Sequence, residues 1–292
     1  MRKLLRANWN RLWKNSMFWI SMASMLAFGV LVISEALEGN SSNPADVRTS
    51  PDALLMGGTV LAGFISAIFS AFYIGTDYSD GTIRNKLTLG HSRTAIYFAN
   101  FLVCLLAAWM INAIYWIVIL AAGSLLIGSF AASAGVVIKL LLFGLIPVIA
   151  LNALYMLLEM LISNKTIAVT VLILFSFGLI SAQLIMTDRL SSPEYYEAYS
   201  WTDDDGNEHE EPRHKNSSYP TGLKRQFYEL MCDVLPAGQT SQMSTMLMES
   251  AETGTLTTEN YADLWKFTGY SVLIIFISST AGVILFRRKD IK

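Results

Sequence analysis

Charged residues are scarce in this sequence. Asp, Glu, Lys and Arg make up 15% of the 292 residues, and hydrophobic residues make up 53%, whereas soluble proteins average about 25% charged and about 45–50% apolar residues. The apolar residues also gather in long runs, without the period of a strand or of a surface helix. The shortage of charge therefore excludes an ordinary soluble domain and indicates a membrane protein.

Motifs for several chemistries are also missing. The sequence has no Gly-x-x-x-x-Gly-Lys-Ser/Thr loop, so the chain does not bind a nucleotide by that route. It has no Gly-x-Ser-x-Gly elbow, no His-Glu-x-x-His motif and no paired Ser/His or Asp/Asp in an apolar run, which disfavours a membrane enzyme. We expect no catalytic, metal or cofactor site on this chain. Energy for transport against a gradient would have to come from a partner.

Cysteine is almost absent. Cys104 lies inside an apolar run and Cys232 stands alone in a polar segment, so we expect no intrachain disulfide. The net charge of −2 gives no sign of a nucleic-acid partner.

The apolar runs predict six transmembrane helices and an all-α polytopic membrane protein. A helix needs about 20 apolar residues to cross a hydrocarbon layer of about 30 Å. Five uncharged runs meet or nearly meet this length: 17–34, 53–76, 140–158, 166–187 and 267–286. The run 94–138 is too long for one span, so we expect one helix, an outer turn near 128–135 and the start of the next helix.

The basic residues predict the orientation. With a cytoplasmic N-terminus, the cytoplasmic segments hold 13 of the 21 Lys and Arg residues, whereas the segment 187–264 has 5 basic and 15 acidic residues. Because Lys and Arg favour cytoplasmic loops, we expect a plasma-membrane protein with both termini in the cytoplasm. The predicted parts are a surface helix (1–15), five spans with a polar loop at 76–94 (16–186), an extracellular insertion (187–264), and the sixth span with a basic tail (265–292).

Residues 1–15 predict a basic amphipathic helix on the membrane surface. Trp9 and Trp13 share one face, Lys3 and Arg6 lie opposite, and Arg2 adds to the basic stretch. Tryptophans suit headgroup depth, and the cations suit lipid phosphate or a partner. Simple anchoring and partner binding are both open, and they are compatible.

The polar loop lies between two long apolar runs. Asp80 is a good N-cap for a short helix that ends at Leu89, Gly90 is placed as its C′ residue, and Ser92 can cap the third span. The mixture of polar and aromatic side chains favours a docking surface over a plain connector. The candidate docking residues are Asp77, Tyr78, Asp80, Gly81, Thr82, Ile83 and Arg84.

Two spans carry unusual residues. In the second span, small residues recur at Ala62, Gly63, Ser66 and Ser70, which favours close helix packing over a substrate path. In the fourth span, Glu159 lies near the inner end. We expect it to reach the surface or to pair with Lys165 or a loop arginine rather than to relay protons.

The segment 187–264 is the only sizeable polar part. Residues 191–218 predict turns and a hairpin, and two helices follow at about 221–235 and 239–250, separated by Pro236-Ala-Gly238. His209 and His214 lie among acidic residues, but their spacing fits no standard zinc motif. A solvated acidic loop is therefore the favoured interpretation.

Taken together, the chain resembles the membrane subunit of type-2 ABC exporters, particularly the small permeases of Gram-positive bacteria linked to peptide export and antimicrobial-peptide immunity. Four segments carry the resemblance: the basic stretch 1–13, the loop 75–87 (Gly-Thr-Asp-Tyr-Ser-Asp-Gly-Thr-Ile-Arg-Asn-Lys-Leu), the motif Leu-Pro-Ala-Gly-Gln at 235–239, and the ending 286–292. The loop is the most specific and the ending is weaker. Residues from about 190 to about 220 lie outside the resemblance.

The resemblance implies a pair of permeases, formed with a second copy or a paralogue, and two cytoplasmic ATPase subunits that bind ATP and Mg. It implies that the N-terminal helix is the connecting helix and that 80–89 is the coupling helix. The second and fifth spans would border the path of a peptide or amphiphilic substrate, and Pro236, Gly238 and Gln239 would cap it. A sensor or immunity subunit that binds an antimicrobial peptide with little transport stays open, as does a secondary carrier.

Overall fold

The computed structural model describes residues 1–42, 48–202 and 208–290. Within that part of the chain, six helical segments are long and apolar enough to cross a membrane, which confirms the predicted number of spans. The segments are Ser16–Ser42, Pro51–Ser79, Arg93–Leu126, Ala134–Leu161, Lys165–Ser191 and Thr258–Arg288. The all-α polytopic fold is therefore as expected.

The helices are numbered in chain order. They are α1 (Arg2–Trp13), α2 (Ser16–Ser42), α3 (Pro51–Leu55), α4 (Gly58–Ser79), α5 (Thr82–Thr88), α6 (Arg93–Val118), α7 (Ser124–Leu126), α8 (Ala134–Leu161), α9 (Lys165–Ser191), α10 (Gly222–Val234), α11 (Pro236–Thr253) and α12 (Thr258–Arg288). A π-helical turn, Ile119–Gly123, joins α6 to α7 within the third span. The non-helical turn that follows lies at 127–133 and matches the expected outer turn, although α8 already begins at Ala134.

The second span is interrupted between α3 and α4. A side chain at Gly58 would place its Cβ 2.5 Å from the ring of Tyr115 in α6, so the glycine allows this close contact. The Tyr115 hydroxyl donates to the carbonyl of Leu54 at 2.7 Å and satisfies an acceptor beside the interruption. At the same place, buried Asp52 accepts hydrogen bonds from the backbone N–H groups of Ala131 and Ala132.

The alternating direction of the spans gives the bundle two ends. The basic end, as we call it, holds α1, α5, the connection 162–164 and the residues after α12. The far end holds α3, the turn 127–133 and the described residues of the segment that follows α9, 192–202 and 208–257. In the core, α8 packs against α12 and α11, and α4 packs against α6 and α9. Large apolar side chains such as Leu174 of α9 and Phe276 of α12 are exposed on the outside, as a lipid-facing surface requires.

The far-end segment contains a hairpin and two helices. Strand β1 (Tyr195–Tyr196) pairs with β4 (His214–Lys215), and β2 (Tyr199–Thr202) pairs with β3 (Glu208–Glu211), both antiparallel. The predicted hairpin is thus present. The predicted helix break at Pro236–Gly238 is misplaced: the chain is extended at Leu235, and Pro236 opens the first turn of α11, where a missing N–H costs nothing.

Candidate functional site

A network of buried polar side chains lies at the basic end. At its centre is Asp77, in the last turn of α4, whose side chain is fully buried. Its carboxylate pairs with Arg11 of α1 and with Lys86 of α5, whose Nζ lies 2.9 Å from Oδ2. The Arg11 guanidinium also lies 3.8 Å above the ring of Tyr73 in α4. One carboxylate thus joins the N-terminal helix, the second span and the short helix of the polar loop.

Asn8 of α1 extends this network. Its Oδ1 accepts a hydrogen bond from Lys86 Nζ at 3.1 Å, and its Nδ2 donates to Asn100 Oδ1 in α6 at 2.6 Å. The hydroxyl of Tyr73 donates to the backbone carbonyl of Asn8 at 2.8 Å. The N-terminal helix is therefore fixed to three other helices by bonds that span 65 to 92 residues of sequence.

The two sides of α1 have different surroundings. Its buried residues are Leu4, Asn8 and Leu12, which face the bundle. Its exposed residues include Arg2, Lys3, Arg6 and Trp13, and Trp9 is half-buried. The basic residues and one tryptophan are therefore available to lipid, as a surface helix requires. Binding to lipid stays a prediction.

Because the network is buried, each of its charged side chains needs the others to offset the cost of leaving water. Moving a charge out of water costs several kcal/mol unless a partner and further hydrogen bonds offset it. Burial and the nearby Arg11 guanidinium lower the pKa of Lys86 to about 7, whereas the Asp77 carboxylate at 2.9 Å favours the charged amine. Asp77 thus opposes the effect of burial on Lys86, and the two side chains depend on each other.

The start of α5 differs from the prediction. Asp80 is not its N-cap: the Asp80 N–H still donates to the carbonyl of Thr76, so Asp80 is the C-cap of α4. Gly81 takes the N-cap position of α5 with φ of +66°, and no side chain caps the helix. The prediction failed because α4 continues past the end of its apolar run and includes the buried Asp77.

The end of α5 agrees with the prediction. Gly90 has φ of +81°, and its N–H donates to the carbonyl of Leu87 at 2.9 Å. The N–H of His91 donates to the carbonyl of Lys86 at 3.2 Å, which completes a Schellman motif. The Ser92 hydroxyl accepts the Ala95 N–H at 3.2 Å and caps the third span. The C′ role of Gly90 and the capping role of Ser92 are confirmed.

The exposed face of α5 is not the one that the sequence indicated. Asp77 and Ile83, both expected at a docking surface, are buried. Tyr78, Gly81 and Thr82 are half-buried, whereas Asp80 and Arg84 are exposed. Leu89, which we did not single out, is 77% exposed. The i, i+3 spacing of Ile83 and Lys86 defines the inner face, but Leu89 continues the same spacing, so the sequence carries no signal for its exposure.

The residues after α12 return to the same loop. Lys289 Nζ donates to the Tyr78 hydroxyl and to the Met160 carbonyl, both at 3.0 Å, and the Tyr78 hydroxyl also donates to Met160 at 2.7 Å. An open cleft of about 550 Å³ lies between α5 and this tail, with Arg84 and Asp290 on its two sides. The basic end thus gathers the ends of α4, α8 and α12 around one short helix.

The small residues of the second span are packing residues in this structure. Ala62, Gly63, Ser66 and Ser70 are all buried. A Cβ on Gly63 would lie 2.7 Å from the side chain of Leu151 in α8, so a larger residue there would have to displace Leu151. The Ser66 and Ser70 hydroxyls donate to carbonyls of their own helix. These contacts support close packing, and a role in a substrate path stays a prediction.

Gln239 holds the far-end corner between α10 and α11. The residue is fully buried. Its Nε2 donates to the carbonyls of Asp233 at 2.8 Å and of Phe267 at 3.2 Å. Its Oε1 accepts the Ser271 hydroxyl at 2.7 Å. One neutral amide therefore joins the corner to α12.

Gly238 and Pro236 place this corner over the bundle. A Cβ on Gly238 would lie 2.2 Å from the carbonyl oxygen of Cys232, so the close approach of α10 and α11 requires glycine. Pro236 lines a small cavity together with Gly63 of α4 and Ser176 of α9. The structure therefore brings the predicted cap and part of the predicted path together, far from the coupling candidates.

Glu159 contradicts the pairing that we expected. Its side chain is buried in α8, and neither carboxylate oxygen has a hydrogen-bond partner among the described residues. Lys165, the expected partner, donates instead to the Thr76 hydroxyl at 3.0 Å. The prediction failed because Lys165 opens α9 beside α4 and not beside the end of α8.

The histidines of the hairpin have aromatic neighbours. The His209 ring stacks on Trp201, and the His214 ring lies 5.2 Å from that of Tyr196. In the part of the chain that the structure describes, no group of three or more His, Cys, Asp or Glu side chains is arranged to hold a metal.

The chain matches a model of a protein family over most of its length. Residues 4–181 match the model of the ABC-2 family transporter protein. The matched segment is more than half of the 292 residues and contains most of α1, all of α5, the first four spans and the whole buried network. No curated protein matches the chain.

Proposed function

Because the chain belongs to the family of ABC-2 transporter proteins, we propose that it is the permease subunit of an ATP-driven exporter. The membrane subunit carries the transport path, and separate ATPase subunits with bound ATP and Mg supply the energy. In the proposal, a second copy or a paralogue completes the permease pair, and the substrate is a peptide or another amphiphile. The basic end faces the cytoplasm and the far end faces outward.

The observation that carries the proposal is the attachment of α5. A transporter that hydrolyses ATP on another chain needs an element that both touches the ATPase and moves with the transport path. The polar loop exposes Arg84 in α5 and Leu89 directly after it, whereas the inner face of α5 carries Ile83 and Lys86. The inner face joins α5 to α1 and α4 through Asp77.

The second span connects this contact to the far end. Helix α4 has 22 residues, which correspond to about 33 Å of helix. Asp77 lies at one end of α4, and Gly63 lies in the other half, beside the cavity that Pro236 covers. A displacement of α5 would therefore move the wall of this cavity. Because the cavity holds only about 30 Å³, transport in this proposal requires α4, α8 and α9 to separate there.

An exposed leucine provides the test. Leu89→Asp changes the outer face of α5 without touching the buried network, since the residue is 77% exposed. Burying such a side chain in an interface contributes about 1.5–3 kcal/mol, so we expect ATPase recruitment to fall about tenfold or more. The matched control is Leu223→Asp in α10, an equally exposed leucine (84%) at the far end.

The measurement is the MgATP hydrolysis that co-purifies with the tagged chain from its native membrane. Both variants should insert normally and elute as the wild type does in size-exclusion chromatography. Only Leu89→Asp should lose hydrolysis. Equal recruitment by both variants would show that α5 is a connector and not the coupling helix.

A secondary carrier remains as a second candidate because of one observation. Glu159 is an acidic side chain inside a span without a partner among the described residues, and such groups mark proton pathways in carriers. A carrier would need Glu159 for transport and would not need an ATPase.

A further inference from the structure

The hairpin of the far-end segment carries an exposed row of rings. Tyr199 and Trp201 point to the same side of β2, and His209 lies opposite Trp201 in β3. The rings of Tyr199 and Trp201 stack at 5.2 Å, and those of Trp201 and His209 also stack at 5.2 Å. We call these three residues the aromatic ladder. Tyr199 remains 55% exposed and Trp201 45% exposed.

Hairpin stability explains only part of this arrangement. Cross-strand aromatic pairs stabilise two-stranded hairpins, and the pair of Trp201 and His209 has that geometry. Every residue of β2 is exposed, however, so no element of the described chain covers the ladder. Large aromatic side chains elsewhere, such as Tyr73 and Tyr97, are fully buried in the bundle. The ladder is thus an aromatic surface open to a ligand.

The charge around the ladder is mostly negative. The described residues 194–202 and 208–215 include five Glu, and their basic residues, Arg213 and Lys215, pair with Glu197 at 3.5 Å and with Glu194 at 3.6 Å. Glu211 lies opposite Tyr199 in the strand register, and its hydrogen bond with the phenol raises the pKa of Tyr199. Glu210 is also exposed, but it lies opposite Ser200, on the other face of the strands from the ladder. This surface attracts cations and repels anions over about 8 Å at physiological ionic strength.

Aromatic faces and carboxylates together fit a particular kind of ligand. Lys and Arg side chains bind the faces of Trp and Tyr rings by cation–π attraction, and carboxylates pair with the same cations. Apolar side chains pack against the rings. We propose that the aromatic ladder and its neighbouring carboxylates bind a cationic amphiphilic peptide.

The position of the ladder suits capture of such a peptide before transport. Strand β1 begins four residues after α9 ends at Ser191, so the hairpin lies close to the surface at which α9 leaves the bundle. Helix α9 also lines the small cavity through Ser176. This step rests on the proposed function, because it makes the ladder an outer binding site of the permease.

The test uses the purified full-length chain without an ATPase. The probe is a synthetic peptide of Lys and Leu, and the control probe is its Glu–Leu counterpart. Trp201→Ala should weaken binding of the Lys–Leu peptide about fivefold, whereas Trp201→Phe should stay within about twofold because a ring remains. Glu211→Gln should weaken binding and reduce its dependence on salt more than Glu210→Gln does, because Glu210 lies on the other face of the strands. Phe227→Ala is the matched control, since Phe227 is equally exposed (54%) on α10.

Three outcomes would overturn the proposal. The first is equal binding of the Glu–Leu and Lys–Leu peptides. The second is a Trp201→Ala variant that binds like Phe227→Ala. The third is a Trp201→Ala variant that no longer binds peptide-free zwitterionic vesicles but still binds the Lys–Leu peptide as the wild type does. That result would make the ladder a membrane contact. Because no ATPase is present, these results are independent of the Leu89→Asp test of coupling.

Discussion

Two fully buried aspartates lie at opposite ends of the second span, and their surroundings differ. Asp52, at the far end, accepts hydrogen bonds from two successive backbone N–H groups, those of Ala131 and Ala132. Asp77, at the basic end, is paired with the side chains of Arg11 and Lys86, which belong to two other helices. The first carboxylate stabilises one turn, whereas the second joins elements that are separate in the chain.

This difference indicates which end can change its arrangement. The bonds of Asp52 break only if the turn 127–133 is rebuilt. The partners of Asp77 lie on α1 and α5, which are short helices at the surface of the bundle. Because the charges of such a pair are costly to bury separately, α1, α4 and α5 should move together or not at all. That property is what a coupling element needs.

The basic end and the far end should lie on different sides of the membrane. Cysteine labelling tests this orientation directly. Ser200→Cys in β2 should react with an impermeant maleimide in intact cells, and Asn85→Cys in α5 should react only after lysis. Both positions are exposed, and the native Cys104 and Cys232 are buried. The expected effect is all or none. The reverse labelling pattern would contradict the orientation.

Removing either carboxylate should destabilise the protein, and the reasons should differ between Asp77 and Asp52. Asp77→Ala leaves two cations without their partner, so we expect a loss of about 3–5 kcal/mol in stability. Asp52→Ala leaves two backbone donors unsatisfied at about 1–3 kcal/mol each. The exposed Asp80→Ala should change little. Thermal unfolding in detergent measures all three.

A double variant separates the pair from general damage at the basic end. Adding Lys86→Met to Asp77→Ala removes one of the unpaired charges, so it should recover part of the lost stability. If Lys86→Met restores no stability and Asp77→Ala is as stable as Asp80→Ala, the buried pairs contribute nothing to the stability of the protein.

The structural features that depend on nearby residues could be predicted from the sequence. Span number follows from the length of apolar runs, and the roles of Gly90 and Ser92 follow from backbone geometry within a few residues. The partners of Asp77 could not be predicted, because Arg11 lies 66 positions earlier in the chain and its proximity is set by the packing of α1. The count of uncharged residues also placed the predicted end of the second span at Thr76. In the sequence, a charged residue that is paired inside a helix resembles the start of a loop.

The candidate site shows the same division. The loop was correctly singled out as a helical segment, but the face that it exposes depends on which residues α1 and α6 cover. Ile83 is therefore buried and Leu89 exposed, a distinction that local propensity does not contain. The hairpin was predictable from its turn residues, whereas the stacking of Trp201 on His209 depends on strand register.

The smallest effect is expected at Glu159, which belongs to neither of the two compared ends. Among the described residues no cation pairs with its carboxylate, and Glu159→Gln keeps the side-chain volume and an acceptor oxygen for the nearby Ser70 hydroxyl. We expect a stability change below about 1 kcal/mol, since the substitution makes no cavity and breaks no pair. In an ATP-driven permease, export at constant ATP should also survive collapse of the proton gradient in both wild type and variant. Export that stops with the gradient in the wild type, and is lost in Glu159→Gln, would make this chain a proton-coupled carrier and would remove α5 from the energy pathway.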